Sequence, residues 1–447
     1  MKLEGKKIVV LGMGITGVAA ALFLGKHGAK VKAVDEKPFA QWGAAFERIQ
    51  HEPWLERCSY NEEVLDGADF VVPSPGVPPR NNLLQAALKR KIAIISEVEL
   101  AFRFLKAPLI AVTGTNGKTT TTTLLGGILK KAGKKTLVGG NIGNPLIGCV
   151  EDSNGADFVV AEISSFQLQW TDKFRPYISI LLNVTSDHMD YHGSFEEYLR
   201  VKKLIFANQK KEDYAVVRAM ELSRYGLKKQ VSAKITAFSY GEELEEGIFV
   251  KGDKIVFRTA EKEEEIYPLD IIRLPGIHNV ENVMAAVVAA RICGCAEESI
   301  KTAVAEFHGL AHRIEFVAEK NNVKFYDDSK GTNVGSVASA LSAFSGPVIL
   351  LMGGRDKEGN FEELRPLILA KAKQVILFGE AQNRIAKLIG NNIPKLNRPK
   401  LRDAIEAAFE IAQPGDVVLL SPGCASFDEF RDYKERGDYF KKIVRSN

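Results

Sequence analysis

The chain has 447 residues, which at roughly 100–200 residues per domain predicts two to four domains. Apolar residues make up 45% and charged residues 26%, and the net charge is only +4. This balance argues against a nucleic-acid or membrane surface and suits an anionic small substrate. No apolar run approaches the roughly 20 residues of a membrane span. The five cysteines lack metal-site spacing, so we expect reduced thiols in a cytoplasmic protein without a signal peptide.

The chain opens with a strand, KIVVL at residues 7–11, that runs into a glycine loop. Residues 12–17, GMGITG, match G-x-G-x-x-G before a helical pattern, and Asp35 ends the next strand, VKAVD. Such a loop places a pyrophosphate at a helix N-terminus. The pattern leaves three interpretations open: NAD or FAD, another nucleotide diphosphate, or a tight turn without a ligand. The turn SPGVPP at 74–79 follows a strand and is expected to line the same cleft.

A second glycine loop, GTNGKTT at 114–120, follows the strand PLIAVT and precedes a helical pattern. The standard phosphate loop has a glycine where Val112 stands. The loop can still bind phosphate without that glycine, because its two glycines let backbone N–H groups face phosphate oxygens. Lys118 can reach the terminal phosphates and Thr119 can give its hydroxyl to Mg²⁺. The sequence therefore predicts an ATP loop; the alternative is a Gly-Lys turn that only opens a helix.

Acidic and histidine side chains follow in the next strands. Glu162 lies in the apolar strand FVVAE, where a carboxylate is costly unless it is paired or binds metal; the alternative is an edge-facing side chain. Residues 180–192, ILLNVTSDHMDYH, are too loosely spaced for structural zinc but suit Mg²⁺ beside phosphates; the alternative is a capping turn. Lys202 and Lys203 would ordinarily form a solvated basic face, and the pattern does not distinguish them.

The last third repeats the strand–helix alternation, with strand patterns KFYDD at 324–328 and PVILLM at 347–352. Apolar runs that alternate with helical patterns predict parallel sheets with crossover helices. We expect linkers near residues 95–107 and 300–310. The charged, alternating segment 240–270 predicts an exposed hairpin.

Together these motifs resemble the Mur ligase family of ATP-dependent amide-forming enzymes. The resemblance covers essentially the whole chain and is strongest in eight motifs: GTNGKTT (114–120), GGNIG (139–143), AEISSFQL (161–168), NVTSDHMD (183–190), LPGIHNVEN (274–282), GLAHRIE (309–315), DDSKGTN (327–333) and SPGCASFDEF (421–430). Two of them, ISSFQL and DSKGTN, are similar to the D-glutamate-adding members. The resemblance implies an α/β fold of three domains. These are a Rossmann-like UDP-substrate domain at 1–96, a central P-loop ATPase-type parallel-sheet domain at 97–304, and a Rossmann-like amino-acid-binding domain at 305–447.

The implied activity is the addition of D-glutamate to UDP-N-acetylmuramoyl-L-alanine through an acyl phosphate, in cytoplasmic peptidoglycan precursor synthesis. ATP and two Mg²⁺ ions are the implied cofactors, with a carbamate derived from CO₂ on Lys202. The resemblance implies small-molecule partners only, with no nucleic acid or membrane insertion, and a monomer. One alternative is another Mur-type or folylpolyglutamate-type amide ligase. Two others, from different classes, are an NAD-dependent oxidoreductase, which leaves residues 114–120 without a role, and a non-catalytic nucleotide-binding module.

The resemblance also implies roles for individual residues. The catalytic set is Lys118, Glu162, His188 and Lys202. The metal ligands are Thr119, Glu162, His188 and carbamylated Lys202. The ATP-binding residues are Gly114, Thr115, Asn116, Gly117, Lys118, Thr119, Thr120, Asn279, Asn282, Arg313, Asp328 and Lys330. The UDP-substrate residues are Gly14, Ile15, Thr16, Asp35, Lys37, Ser74, Pro75, Gly76, Asn141 and His188. The D-glutamate residues are Thr332, Lys357, Ser426 and Tyr433.

Overall fold

The computed structural model describes residues 1–356 and 358–446 and contains three β-sheets. The chain divides into two compact units. One comprises residues 1–269 with 281–304 and holds the first two sheets; the other comprises residues 270–280 with the chain from 305 onward and holds the third. Helices alternate with mostly parallel strands throughout, which confirms the predicted α/β fold. The three domain ranges proposed from the sequence stay a prediction.

The first sheet is fully parallel and has the strand order β3-β2-β1-β4-β5. Its strands are β1 (Lys7–Leu11), β2 (Lys30–Val34), β3 (Leu55–Arg57), β4 (Phe70–Pro73) and β5 (Ala93–Ile94). Its helices are α1 (Ile15–Lys26), α2 (Ala44–Glu47) and α3 (Asn82–Lys89). The chain reverses its direction of winding between β1 and β4. Ligands of open α/β sheets bind at the carboxyl ends of strands at such a reversal.

The second sheet has nine strands in the order β14-β13-β12-β11-β10-β9-β6-β8-β7. They are β6 (Leu109–Thr113), β7 (Thr136–Gly140), β8 (Phe158–Glu162), β9 (Ile178–Leu181), β10 (Tyr214–Arg218), β11 (Lys234–Ser239), β12 (Gly247–Lys251), β13 (Lys254–Arg258) and β14 (Glu263–Pro268). The helices of this region are α4 (Glu97–Phe102), α5 (Lys118–Lys131), α6 (Ser165–Leu168), α7 (Met189–His192), α8 (Phe195–Lys203), α9 (Ala219–Arg224), α10 (Ile277–Ile292) and α11 (Glu297–Glu306). Strands β6 to β12 pair in parallel, and β12, β13 and β14 pair antiparallel at one end. The hairpin expected within 240–270 is therefore present, but it is not exposed throughout, because Ile248, Phe249, Ile255 and Val256 are at most 1% exposed.

The third sheet has six strands in the order β15-β16-β20-β17-β18-β19, and only the edge pair β15–β16 is antiparallel. Its strands are β15 (Glu315–Lys320), β16 (Val323–Asp327), β17 (Val348–Gly353), β18 (Ala372–Phe378), β19 (Lys395–Arg398) and β20 (Val417–Gly423). Its helices are α12 (Val334–Ser342), α13 (Arg365–Lys371), α14 (Gln382–Ile389), α15 (Leu401–Ile411) and α16 (Tyr433–Ser446). The central strands β17 and β20 are buried along their whole length, as expected of parallel strands covered on both faces.

The two segments expected to be linkers are largely helical. Within 95–107, helix α4 is capped by Ser96, whose Oγ accepts a hydrogen bond from the Glu99 backbone N–H at 3.3 Å. The Glu99 carboxylate is fully buried and accepts the backbone N–H groups of residues 172–174 at 2.9–3.1 Å. Segment 300–310 overlaps α11.

Candidate active site

The loop at residues 114–120 connects the end of β6 to the first turn of α5. Gly117 has a φ of 86°, in the left-handed region, immediately before the helix. A Cβ on this glycine would lie 2.1 Å from the Asn282 Oδ1 atom, so the loop passes directly against that amide. Glycine adopts this conformation without the steric cost that other residues incur. The backbone therefore turns tightly and leaves the amide groups at the start of α5 at a helix N-terminus, where anions bind.

Residues that follow strand β9, together with a side chain of helix α8, hold this loop in place. The Asn116 backbone N–H donates to Asn183 Oδ1 at 2.8 Å, and the Asn183 side-chain amide donates back to Asn116 O at 3.1 Å. The Thr115 hydroxyl lies 3.0 Å from the Tyr198 hydroxyl and donates to Thr185 O at 3.1 Å. Neither Asn183 nor Tyr198 was predicted as a site residue. Asn183 directly follows the strand that pairs with β6, and this placement was the available signal.

Two lysines converge on one carbonyl oxygen of the loop. Lys118 Nζ donates to Gly114 O and Thr115 O, both at 2.9 Å, and Lys202 Nζ donates to Gly114 O at 2.9 Å. Lys202 is only 1% exposed. Burial, and secondarily the charge of Lys118, holds the pKa of Lys202 well below its ordinary value. Lys203 instead donates to Gln230 Oε1 at 3.1 Å near the surface, so a solvated basic face is the wrong description of Lys202.

Helix periodicity explains why Lys202 points inward. Helix α8 begins after Ser194, whose Oγ accepts the Glu197 backbone N–H at 3.2 Å. Its buried face carries Tyr198, Val201 and Lys202, spaced three and four residues apart on one side of the helix. The Lys202 ammonium lies 4.7 Å from the centroid of the Tyr198 ring. The four-residue spacing of Tyr198 and Lys202 in the sequence therefore indicated that both side chains lie on the same face of the helix.

Glu162 ends β8 with a buried carboxylate. In the sheet it is opposite Val112 of β6 on one side and Gly140 of β7 on the other, so it does not face an edge. Its Oε1 accepts a hydrogen bond from the Asn141 side-chain amide at 2.8 Å. Its Oε2 is buried and has no hydrogen-bond partner among the residues that the structure describes. A buried carboxylate oxygen without a partner is costly, and it fits the oxygen-rich coordination of Mg²⁺.

His188 adopts a strained backbone conformation immediately before α7. Its φ is 57°, which is uncommon for a residue other than glycine. Its Nε2 lies 3.6 Å from an Asp187 carboxylate oxygen, and its ring packs 4.7 Å from the Phe166 ring centroid. Asp187 Oδ1 also accepts the His188 backbone N–H at 3.0 Å, so a local capping contact is present as well. Strain of this kind persists where the surrounding structure imposes it, often at functional sites.

His192, the other histidine of the motif, has a different environment. It is 8% exposed, and its Nε2 lies 2.9 Å from the Ser165 hydroxyl. Burial, with smaller contributions from His188 and Lys202, lowers the pKa of His192 to about 4. The imidazole of His192 is therefore neutral at physiological pH, and its role is to pack in the interior beside Ser165.

A cavity of about 540 Å³ opens at the carboxyl ends of β1 and β4, at the reversal of the first sheet. Nine of the ten residues predicted for the UDP substrate line it: Gly14, Ile15, Thr16, Asp35, Lys37, Ser74, Pro75, Gly76 and Asn141. His188, the tenth, is not among the lining residues. The cavity extends from the first glycine loop to Asn141, whose amide contacts Glu162, so it reaches the phosphate-loop region.

Asp35 organises the mouth of this cavity. Its two carboxylate oxygens accept the backbone N–H groups of Met13 at 2.7 Å and Lys37 at 2.9 Å, which ties the first glycine loop to the end of β2. A second acidic residue, Glu36, also lines the cavity, and its Oε1 accepts hydrogen bonds from Asn81 at 2.7 Å and Tyr60 at 3.1 Å. Sequence reasoning missed this polar cluster, because its three members come from separate segments.

In the second unit, Asp328 follows β16 and is buried. Its Oδ2 accepts the Ser421 hydroxyl at 2.7 Å, and burial raises the pKa of Asp328 to about 7. The Lys330 ammonium lies 5.2 Å from the centroid of the Tyr433 ring. Thr332 is partly buried, and Ser426 is 2% exposed in the loop after β20. Lys357, the fourth predicted D-glutamate residue, lies outside the described residues.

Arg313 lies between two residues with left-handed backbones, His312 with a φ of 65° and Ile314 with a φ of 47°. The His312 ring fixes this turn, because its Nδ1 lies 2.7 Å from Asp327 Oδ2. Of the two asparagines predicted to bind ATP, Asn279 donates to Pro275 O at 2.7 Å in the second unit. Asn282 is 4% exposed in the first unit, beside the phosphate loop.

Known proteins resemble the chain along its whole length. It matches the MurD-like N-terminal domain of Mur ligases over residues 6–96, the Mur ligase middle domain over 112–290, and the glutamate ligase domain over 312–424. It is 51% identical to the UDP-N-acetylmuramoylalanine--D-glutamate ligase of Syntrophus aciditrophicus, covering 100% of this chain and 99% of that protein. The enzyme of the same name from Geobacter metallireducens is 43% identical, covering 100% and 98%.

Among solved structures, the pseudomurein peptide ligase type C from Methanothermus fervidus superimposes with a TM-score of 0.61. The two proteins share 19% sequence identity, and the alignment covers 99% of this chain and 100% of that one. This likeness supports the fold. Within the described residues, no helix combines the length and apolar character that crossing a membrane requires.

Proposed function

The chain belongs to the Mur ligase family of ATP-dependent amide-forming ligases, and we propose that it joins D-glutamate to UDP-N-acetylmuramoyl-L-alanine. Relatives that carry this activity in their name match the chain from end to end. The assignment leaves no role for NAD at the first glycine loop. The proposal also comprises a cytoplasmic setting in peptidoglycan precursor synthesis and a monomeric enzyme.

One observation carries the proposal: two lysines donate to one oxygen of the phosphate loop, beside a strand that ends in a buried carboxylate with one oxygen lacking a hydrogen-bond partner among the described residues. Lys118 and Lys202 both donate to Gly114 O, and Glu162 ends a strand that pairs with β6. A loop that only binds a nucleotide needs the first lysine alone. A buried second lysine and a buried carboxylate fit a site that neutralises charge during phosphoryl transfer.

In the first step of the proposed reaction, the L-alanine carboxylate attacks the γ-phosphorus of ATP and ADP leaves. The product is an acyl phosphate. Lys118 holds the terminal phosphates, and the backbone N–H groups at the start of α5 face their oxygens. This transition state requires alignment and charge neutralisation more than covalent assistance, and preorganised groups supply both.

The residues of the site fit Mg²⁺, with Thr119, Glu162, His188 and Lys202 as the proposed ligands of two ions. Bound Mg²⁺ would neutralise phosphate charge and orient the transferred group. Lys202 would enter this set as a carbamate: its neutral amine adds to CO₂, an N–C bond forms, and a proton is released. The buried Lys202 side chain supports this step, because burial favours the uncharged amine that the addition needs.

In the second step, the D-glutamate amine adds to the acyl carbonyl, loses a proton, and the tetrahedral intermediate expels phosphate to leave an amide. We place D-glutamate at Thr332, Ser426 and Tyr433, with Lys357. Arg313, Asp328 and Lys330 would lie beside the nucleotide. The UDP portion would occupy the cavity between the first glycine loop and the turn at 74–79, where a helix N-terminus suits a diphosphate.

The test is phosphate release and product mass across a matrix of acceptors and amino acids. The acceptors are UDP-N-acetylmuramate with and without L-alanine, and the amino acids are D-glutamate, L-glutamate and L-alanine. We expect turnover only when ATP, the L-alanine acceptor and D-glutamate are all present. Preferential use of L-glutamate or L-alanine would overturn the substrate assignment. ATP binding without phosphate release that depends on an amino acid would point to a non-catalytic nucleotide-binding module.

A further inference from the structure

Arg436, on the first turns of α16, is among the largest fully buried side chains of the protein, with 0% exposure. It belongs to none of the motifs that predicted the site. A guanidinium is rarely buried completely, because removing its charge from water is costly unless it is paired and hydrogen-bonded. The location of this side chain therefore calls for a physical reason beyond packing.

The guanidinium joins two loops that carry predicted D-glutamate residues. Its Nη2 donates to Ser329 O at 2.8 Å and to Cys424 O at 3.1 Å. Ser329 lies in the loop after β16, which continues to Thr332, and Cys424 lies in the loop after β20, which continues to Ser426. One buried nitrogen thus sets the spacing between the main chains of the two loops.

A second contact attaches the same helix to the same loop. The Ser329 hydroxyl donates to Tyr433 O at 2.8 Å, at the start of α16. Tyr433 is itself a predicted D-glutamate residue, and its ring faces the Lys330 ammonium. On the opposite side, a Cβ on Gly354 would lie 3.0 Å from Arg436 Nη1, so the main chain after β17 packs closely against the guanidinium. Three loops of the third sheet meet at this side chain.

The guanidinium also places positive charge beneath these loops. Burial lowers the pKa of Arg436 to about 10, so it stays protonated at physiological pH. Besides the Cys424 thiol, the carboxyl groups of Asp428, Asp327 and Asp328 act on it, and none of the three forms an ion pair with it in the described structure. Its Nε and Nη1 are buried without a hydrogen-bond partner among the described residues. The carboxyl groups therefore act on the guanidinium across a distance through a medium of low dielectric, and its charge offsets theirs.

We propose that Arg436 is a positioning residue for the amino-acid substrate: it fixes the loops of Ser329 and Cys424, and its charge offsets the neighbouring aspartates, which would otherwise repel a dicarboxylate bound at these loops. The inference rests on the proposed function, because D-glutamate is the dicarboxylate concerned. Arg436 does not contact the substrate, since it is fully buried. Its effect passes through the positions of Thr332, Ser426 and Tyr433.

Two substitutions separate its charge from its hydrogen bonds. Arg436→Lys keeps the charge and one donor group, and Arg436→Gln keeps donors but removes the charge. We expect Arg436→Gln to raise the KM for D-glutamate by about tenfold or more, the effect of one charge-assisted hydrogen bond. Arg436→Lys should raise it less. The KM for the UDP substrate should stay within about twofold, because its cavity is lined by residues of the other compact unit. The KM for ATP should rise less than the KM for D-glutamate, because the proposed ATP-binding residues Asp328 and Lys330 flank Ser329 in the loop that Arg436 fixes. Arg445→Gln, at the exposed end of α16, is the matched control and should change none of these values.

A partial reaction distinguishes positioning from a general loss of structure. Hydroxylamine converts the acyl phosphate to a hydroxamate and releases phosphate without using the amino-acid site. Variants that form hydroxamate at the unsubstituted rate but need more D-glutamate for coupling would support the proposal. Loss of hydroxamate formation in both variants, or equal rises in all three KM values, would overturn it and make Arg436 a stability residue. If the unsubstituted protein released no phosphate in response to D-glutamate, the proposed function itself would be wrong.

Discussion

The molecule contains two glycine loops that are alike in outline and different in chemistry. Both follow a parallel strand and open a helix, at residues 12–17 and 114–120. The first is open: Ile15 is 72% exposed and the loop lines a cavity. The second is enclosed: Thr115, Thr119 and Thr120 are nearly buried, and two lysines reach one of its carbonyls.

The difference indicates that the strand–loop–helix unit supplies only an anion site at a helix N-terminus, and that the surrounding side chains decide its use. Around the first loop, Asp35 and Ser74 hold backbone groups, and no lysine contacts the loop's carbonyls in the described structure. Around the second, Lys118, Lys202 and Glu162 are charged or ionisable groups withdrawn from water. The first arrangement suits binding, and the second suits a reaction in which negative charge moves.

Removing the lysine of the second loop should have the largest effect. Lys118→Ala is expected to lower kcat by about 10²–10³-fold, as does loss of one preorganised electrostatic stabiliser. The measurement is phosphate release at saturating substrates. Lys130→Ala, exposed at the other end of α5, should retain the unsubstituted rate. Near-normal turnover of the Lys118 variant would contradict the conclusion that the second loop, unlike the first, takes part in the reaction.

Lys202 tests whether the second loop needs a carboxylate rather than a cation. Lys202→Ala should lose about 10²-fold in kcat, a loss at the lower end expected for one electrostatic group. Formate or acetate should restore part of the rate, because a small carboxylate can occupy the position of the proposed carbamate. The adjacent Lys203→Ala, whose ammonium lies near the surface, should keep full activity without added carboxylate. A folded Lys202 variant that no carboxylate rescues would contradict carbamylation.

The substitution Gly17→Ala tests whether the first loop binds the UDP substrate independently of the second loop. A Cβ at this position would lie 1.8 Å from Gly12 O, so Gly17→Ala must displace the backbone of the loop. We expect the KM for the UDP substrate to rise by about tenfold, the loss of one good hydrogen bond, with the KM for ATP unchanged. Gly155→Ala, where a Cβ meets nothing within 4 Å, is the matched control. Equal changes in both KM values would show that the two loops are not independent.

Sequence reasoning predicted the strands before both loops, because short apolar runs ending in glycine have few other interpretations. Nine of the ten residues predicted for the UDP substrate line the cavity, but other lining residues, among them Glu36, Asn81, Pro145 and Gln167, were not predicted. It did not find Arg436 or Tyr198, since their significance depends on contacts between residues distant in the chain. The residue pattern alone left Lys202 and Lys203 equivalent, and the family resemblance singled out Lys202, although the helical spacing of Tyr198 and Lys202 also carried the distinction. What remained hidden was the pairing of buried polar groups, which only tertiary structure determines.

The last prediction concerns the segment that connects the two loops, where the expected effect is on stability and its effect on activity is the smallest. Glu97, on α4, is 1% exposed; its Oε1 accepts the Ile147 backbone N–H at 2.6 Å, and its Oε2 has no partner among the described residues. Ile147 follows the 140–145 segment, which lines the cavity of the first loop. Burial raises the pKa of Glu97 from 4.5 to about 7.

The folded state therefore holds the Glu97 proton more tightly than the unfolded chain does. Its contribution to stability is complete below pH 4.5 and is lost as pH rises to about 7, a change of about 3 kcal/mol at most. Glu97→Gln, which cannot ionise, should flatten the decline in unfolding free energy between these pH values, measured by urea titration at several pH values. The exposed Glu47→Gln should leave the decline unchanged. An identical pH dependence in the Glu97 variant would mean that this carboxyl group is ionised in the folded protein, and that the junction between the two loops tolerates a buried charge.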